Sequence, residues 1–107
     1  MSGVIIKVKD NTVQFKQFKP CFFMVCDAIR TAWGSRAPGV APVITSGNDS
    51  KHMPNSRHYT DEGWDFRTNN LPTSTLDLIV KDLRNLLGIA FDVVREKDHL
   101  HIEFDPD

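Results

Sequence analysis

Cysteine is scarce in this sequence. Only Cys21 and Cys26 occur, which excludes a disulfide scaffold, and also a zinc ribbon, because no second cysteine pair exists. The two stand five residues apart in a segment that reads as helix, about 140° apart around its axis. They do not face each other, and two buried free thiols are expected, in keeping with a reducing compartment. Charge of one sign is lacking too: 13 Lys and Arg stand against 14 Asp and Glu, for a formal net charge of -1. That balance speaks against a nucleic-acid binder, which carries a basic excess, and no aromatic-basic platform is present. Long hydrophobic runs are missing. Nothing approaches the roughly 18 apolar residues of a membrane span. The opening MSGVIIKVKDNT has too short an apolar run, broken by lysines, to be a signal peptide.

What remains is an ordinary globular composition, 40% hydrophobic and 25% charged over 107 residues. That is one domain, residues 1–107, large enough to bury a core without staples. Internal repeats, linkers and low-complexity segments are absent. Residues 4–9 (VIIKVK) alternate into a turn at Asp10-Asn11, and Val13-Gln14-Phe15 alternates again, so 1–17 reads as an N-terminal hairpin ahead of a core at 18–107. Pro20 opens a helix whose face is Phe22, Cys26, Ile29 and Trp33, ended by Gly34, Pro38 and Gly39. Val40–Ser46 reads as a strand interrupted by Pro42. Residues 47–59 form a long polar loop of the kind that often carries function. Gly63–Phe66 is a short strand. Ser74 with Asp77 resembles a capping box for a helix with the stripe Leu76, Ile79, Val80, Leu83, Leu86 and Leu87, stopped by Gly88. Ile89–Arg95 and His99–Phe104 read as an antiparallel hairpin. The expected class is α+β: two helices on one face of an antiparallel sheet, with a site on the other face.

Four histidines occur, His52, His58, His99 and His101, and three of them lie beside acidic residues in two turn-flanked segments. One segment runs Ser56-Arg57-His58-Tyr59-Thr60-Asp61-Glu62-Gly63-Trp64-Asp65, the other Asp98-His99-Leu100-His101. A catalytic zinc takes three protein nitrogen or oxygen ligands and leaves a position for water. His58 and Asp65 can converge only through a tight turn between loop and strand, and Gly63 permits close backbone approach there. His99 and His101 are two apart on a strand and share a face.

These segments resemble the zinc peptidases that include D-alanyl-D-alanine carboxypeptidases, the vancomycin-resistance dipeptidase and phage L-alanyl-D-glutamate endopeptidases. Their signature reads Ser-x-His-x-x-Gly-x-Ala-x-Asp, then an acidic residue three before a final His. Ser56, His58 and Asp65 match its first part and Asp98-His99-Leu100-His101 its second. Val43–Gly47 is similar to the strand and turn that precede it. The resemblance covers roughly residues 20 to 105. It implies the LAS-type fold shared with hedgehog-like domains, and one Zn2+ held by His58, Asp65 and His101. It also implies Asp98 as general base and His99 as the group that stabilises the transition state. An aspartate base is intrinsically acidic, so Asp98 requires its pKa raised by burial or by nearby Glu96. A second register makes Glu96 the base and His99 the ligand. The family's Gly and Ala positions are Asp61 and Gly63 here, and the arginine that many members carry after the Ser-Gly turn is missing. Arg57, Lys51 and Arg67 form a modest basic cluster that reads first as a solvated surface, and Lys51 or Arg57, with Ser56, are the candidates to contact substrate in its place. His52 reads as a loop histidine.

The implied activity is hydrolysis of peptidoglycan stem peptides, at D-Ala-D-Ala or L-Ala-D-Glu, by a monomer made in the cytoplasm and delivered by phage-type release or in a virion. The alternative is a zinc-binding module of the same fold with a binding or assembly role, which the missing arginine and Asp61 favour.

Overall fold

The computed structural model describes residues 4–13, 18–47 and 63–106. Among them are five strands and two helices in the order β1 (Lys7–Val8), α1 (Pro20–Arg36), β2 (Val43–Ser46), β3 (Gly63–Arg67), α2 (Thr73–Leu87), β4 (Phe91–Arg95) and β5 (His99–Phe104). The strands form one sheet in the order β1-β2-β3-β5-β4. The class is α+β, as the pattern of apolar positions implies.

The sheet is mixed, not antiparallel throughout. β1 runs parallel to β2, pairing Lys7 with Val43 and Val8 with Ile44, whereas β2–β3, β3–β5 and β5–β4 are antiparallel. A parallel neighbour needs a crossover, and α1 supplies it between β1 and β2. The turn expected at Asp10-Asn11 is present, with the Asp10 carboxylate accepting from the Thr12 amide at 2.9 Å. The rest of the expected hairpin, residues 14–17, lies outside the described residues. α2 crosses from β3 to β4, and β5 then returns between them, so β3 and β4 are parallel strands split by β5.

α1 starts with Pro20 in its first turn, where a missing N–H costs nothing, and buries Cys21, Val25, Cys26, Ala28, Ile29, Ala32 and Trp33. It runs past Gly34 to Arg36, so that glycine does not end it; the helix is capped at Ala37, whose N–H reaches the Trp33 carbonyl at 2.8 Å, just before Pro38. Both cysteines are buried, and burial pushes the Cys26 thiol up to about 11.

α2 begins one residue before the expected capping box. Pro72 holds the N-cap position without a side-chain cap, so Ser74 and Asp77 lie inside the helix. Leu76, Ile79, Val80, Leu83 and Leu87 are buried, but Leu86 is 51% exposed and does not belong to the stripe. Gly88 ends the helix at φ 79° and ψ -170°, a conformation nearly restricted to glycine.

The core lies between the helix pair and one sheet face. Trp64, Phe66, Leu100, Ile102 and Ile44 meet Trp33, Ile29, Ile79 and Leu83 there. Trp33 packs against Phe66 with ring centroids 6.4 Å apart, and Phe22 against Trp64 at 5.4 Å. Burying each such side chain contributes about 1.5–3 kcal/mol.

Candidate functional site

Strand alternation separates core from site. Along β5, Leu100 and Ile102 point to the helices and are fully buried, so His99, His101 and Glu103 point the other way. Along β3, Trp64 and Phe66 take the core side and Asp65 the opposite one. The antiparallel register sets Asp65 directly across from His101. Gly63–Asp65, the described end of one segment singled out in the sequence, therefore lies on the strand next to His99–His101 of the other.

β2 contributes through an irregularity. Ile44 pairs with Phe66 while Ser46 pairs with Asp65, so two residues of β2 advance against one of β3. Such a bulge re-aims side chains. Here it keeps Ile44 in the core and sets the buried Ser46 beside Asp65. Thr45 Oγ1 reaches the Asp65 carbonyl at 3.4 Å.

The polar contacts centre on His101. Its Nδ1 lies 2.8 Å from Asp65 Oδ1, and its Nε2 lies 2.7 Å from Glu103 Oε1. His99 Nε2 lies 3.7 Å from the same Asp65 oxygen, and His99 Nδ1 lies 2.8 Å from Asp98 Oδ1. The Asp65 and His101 side chains are only 12% and 17% exposed. Burial pulls His101 toward its neutral form, but the hydrogen bonds and charges of Asp65 and Glu103 outweigh it and hold its pKa above the ordinary histidine value. An ionised carboxylate only accepts, so an imidazolium donating to both sides is the form these contacts favour.

Asp98 departs from expectation. It sits in the three-residue connection Glu96–Asp98 between β4 and β5 with its side chain 80% exposed. The hydrogen bond from His99 holds its carboxyl below the usual aspartate range. The upward pull of burial is outweighed, and Glu96 is not among the groups that act on it. Glu96 is also exposed; its N–H donates to the His99 carbonyl at 2.9 Å and closes the hairpin. No family model matches the chain, and no curated protein matches it.

The remaining sequence candidates, His58, Ser56, Arg57 and Lys51, lie outside the described residues, as does His52. Sequence reasoning missed Glu103. It stands two after His101 on the same strand face, the spacing that linked His99 to His101, so the period-2 rule would have found it had acidic partners been sought C-terminal to the last histidine. Glu103 also belongs to a cluster with Asp92 and Asp105, whose carboxylate oxygens lie within 4.8 Å of one another. Asp92 faces Glu103 across β4–β5. The donor atoms at Asp65, His99 and His101 are carboxylate oxygen and imidazole nitrogen, types that borderline cations accept, but among the described residues only Asp92, Glu103 and Asp105 bring three such atoms within 4.8 Å of one another.

Proposed function

We propose that this chain is a zinc peptidase acting on peptidoglycan stem peptides, with the metal held by His58, Asp65 and His101. The observation that carries the reading is the pairing of Asp65 with His101 across β3 and β5, with His99 beside them. Those are among the residues on which the resemblance to the cell-wall zinc peptidases rests, together with Ser56, His58 and Asp98, and the LAS-type fold is part of the same proposal.

A bound zinc supplies Lewis acidity and acidifies water. The chain's own groups do the rest. Asp98 takes a proton from the attacking water and returns it to the leaving amine nitrogen. His99, with Nδ1 2.8 Å from Asp98 Oδ1, lines the site and would help stabilise the oxyanion that develops on the scissile carbonyl. Asp65, as a carboxylate among imidazoles, offsets the charge of the cation. Action on the wall follows phage-type release or virion delivery of a monomeric enzyme.

The lowered basicity of Asp98 favours a second reading, a zinc-binding module of this fold with a binding or assembly role.

Metal content decides first. About one zinc per chain, lost in His101→Ala, is the expected result, and a wild-type protein that takes up no zinc sinks both readings. Release of new amines from purified muropeptides then separates enzyme from module. In the enzyme, Asp98→Ala keeps its zinc and loses hydrolysis; full turnover in that variant rules Asp98 out as the base.

A further inference from the structure

We infer that Glu103 is a positioning residue that fixes the tautomer of His101, holding the proton on Nε2 so that Nδ1 is the atom offered to the metal. This rests on the proposed role of His101 as a ligand.

The two imidazole nitrogens of His101 have different neighbours. Nδ1 faces Asp65, the other proposed ligand on the described strands, at 2.8 Å. Nε2 faces Glu103 at 2.7 Å. A cation shared by Asp65 and His101 therefore belongs on the Nδ1 side, and there it displaces a proton. The other nitrogen keeps its proton and needs an acceptor, and Glu103 supplies one. Metal-bound histidines commonly donate their second N–H to a carboxylate, which fixes ring orientation and raises ligand basicity.

The fold makes this acceptor rigid. Glu103 and His101 are i and i+2 on β5, a strand held on both sides, by β3 and by β4. Glu103 is paired in register with Gly63 on one flank and Asp92 on the other. Gly63 has no side chain to compete for the space above the strand. The carboxylates of Asp92 and Asp105 lie within 4.8 Å of Glu103. The arrangement assigns different duties to two carboxylates on one histidine: Asp65 shares the metal with Nδ1, and Glu103 holds Nε2.

The test compares Glu103→Ala with Glu103→Gln, whose amide oxygen can still accept from Nε2–H. Zinc affinity is read by competition with a chromophoric chelator, and the His101 tautomer by long-range proton–nitrogen correlation on the zinc-loaded protein. The expected result is zinc binding about 10–100-fold weaker in Glu103→Ala, and within about threefold of wild type in Glu103→Gln. The wild-type spectrum should show a protonated Nε2 and a metal-bound Nδ1. Thermal unfolding of the metal-free variants separates lost positioning from lost fold, since Glu103→Gln keeps shape and acceptor alike. Equal zinc affinity in wild type and Glu103→Ala, or a metal on Nε2, overturns this inference while leaving His101 a ligand. A wild-type protein that binds no zinc overturns the parent reading and this one together.

Discussion

At the scale of single residues, the chain places its polar and apolar groups on opposite sides of two strands with little tolerance for error. Asp65 lies between Trp64 and Phe66, and His101 between Leu100 and Ile102, all four neighbours being fully buried or nearly so. A one-residue slip of either strand would drive a charged group into the core and a large apolar group out of it, a double cost that pins the register. Trp33 shows the reverse situation. It is fully buried, and its indole N–H, alone among the described buried side-chain polar groups, has no hydrogen-bond partner. Its value to the fold is therefore ring volume, diminished by an unmet donor. Trp33→Ala should cost about 3–5 kcal/mol through the cavity it leaves. Trp33→Phe should cost below about 2 kcal/mol, because the unpaired N–H leaves with the indole. Urea unfolding of the two variants checks this; equal losses would mean that the N–H finds a partner in solution.

At the scale of elements, α2 is an amphipathic helix whose buried stripe is narrower than the run of leucines suggests. Leu83 is fully buried while Leu86, three residues on, is 51% exposed. Leu83→Ala should destabilise by about 2–5 kcal/mol. Leu86→Ala should stay within about 0.5 kcal/mol of wild type. Denaturant midpoints measure both, and a large loss at Leu86 would show that this face is covered in solution. The bulge in β2 acts at the same scale. It lets a four-residue strand serve the core with Ile44 and the polar face with Ser46.

At the scale of the whole molecule, the helix layer is tied across its two members and to the sheet by ion pairs. Arg36 near the end of α1 grips Asp82 of α2 in a forked contact, with Nε to Oδ2 at 2.8 Å and Nη2 to Oδ1 at 3.2 Å. Arg95 of β4 pairs with Asp77 of α2. Arg84 of α2 donates to the Val93 carbonyl at 2.9 Å. The hydrogen bond from Arg36 holds Asp82 below its ordinary pKa of 3.8. A folded-state pKa below the unfolded one contributes stability that is present above the unfolded value and is lost as pH falls through the folded value. Asp82→Asn should therefore lower the thermal midpoint slightly at pH 7, as befits a largely solvated pair. Its difference from wild type should shrink as pH falls from 3.8 through the lowered folded value, where this position becomes neutral in both forms. A difference that persists in acid would assign the effect to packing, not charge. None of the described helices is long and apolar enough to cross a membrane.

Much of this was legible in the sequence because it depends on local periodicity. Both helices, β3, the final hairpin and the helix stop at Gly88 follow from apolar spacing, prolines and glycine. β5 occupies the residues expected of it, His99–Phe104. The shared face of His99 and His101 follows from period-2 alternation alone. Other features depend on which strands become neighbours, and spacing along the chain carries no such information. The parallel pairing of β1 with β2, the placement of β5 between β3 and β4, the bulge at Ser46 and the exposure of Leu86 were decided by tertiary packing. So was the neighbourhood of Glu103, which the sheet sets across from Asp92. The sequence by itself determined which residues alternate inward and outward. Only the folded sheet decided that Asp65 stands opposite His101, because a cross-strand register is chosen by burying Trp64, Phe66, Leu100 and Ile102 together.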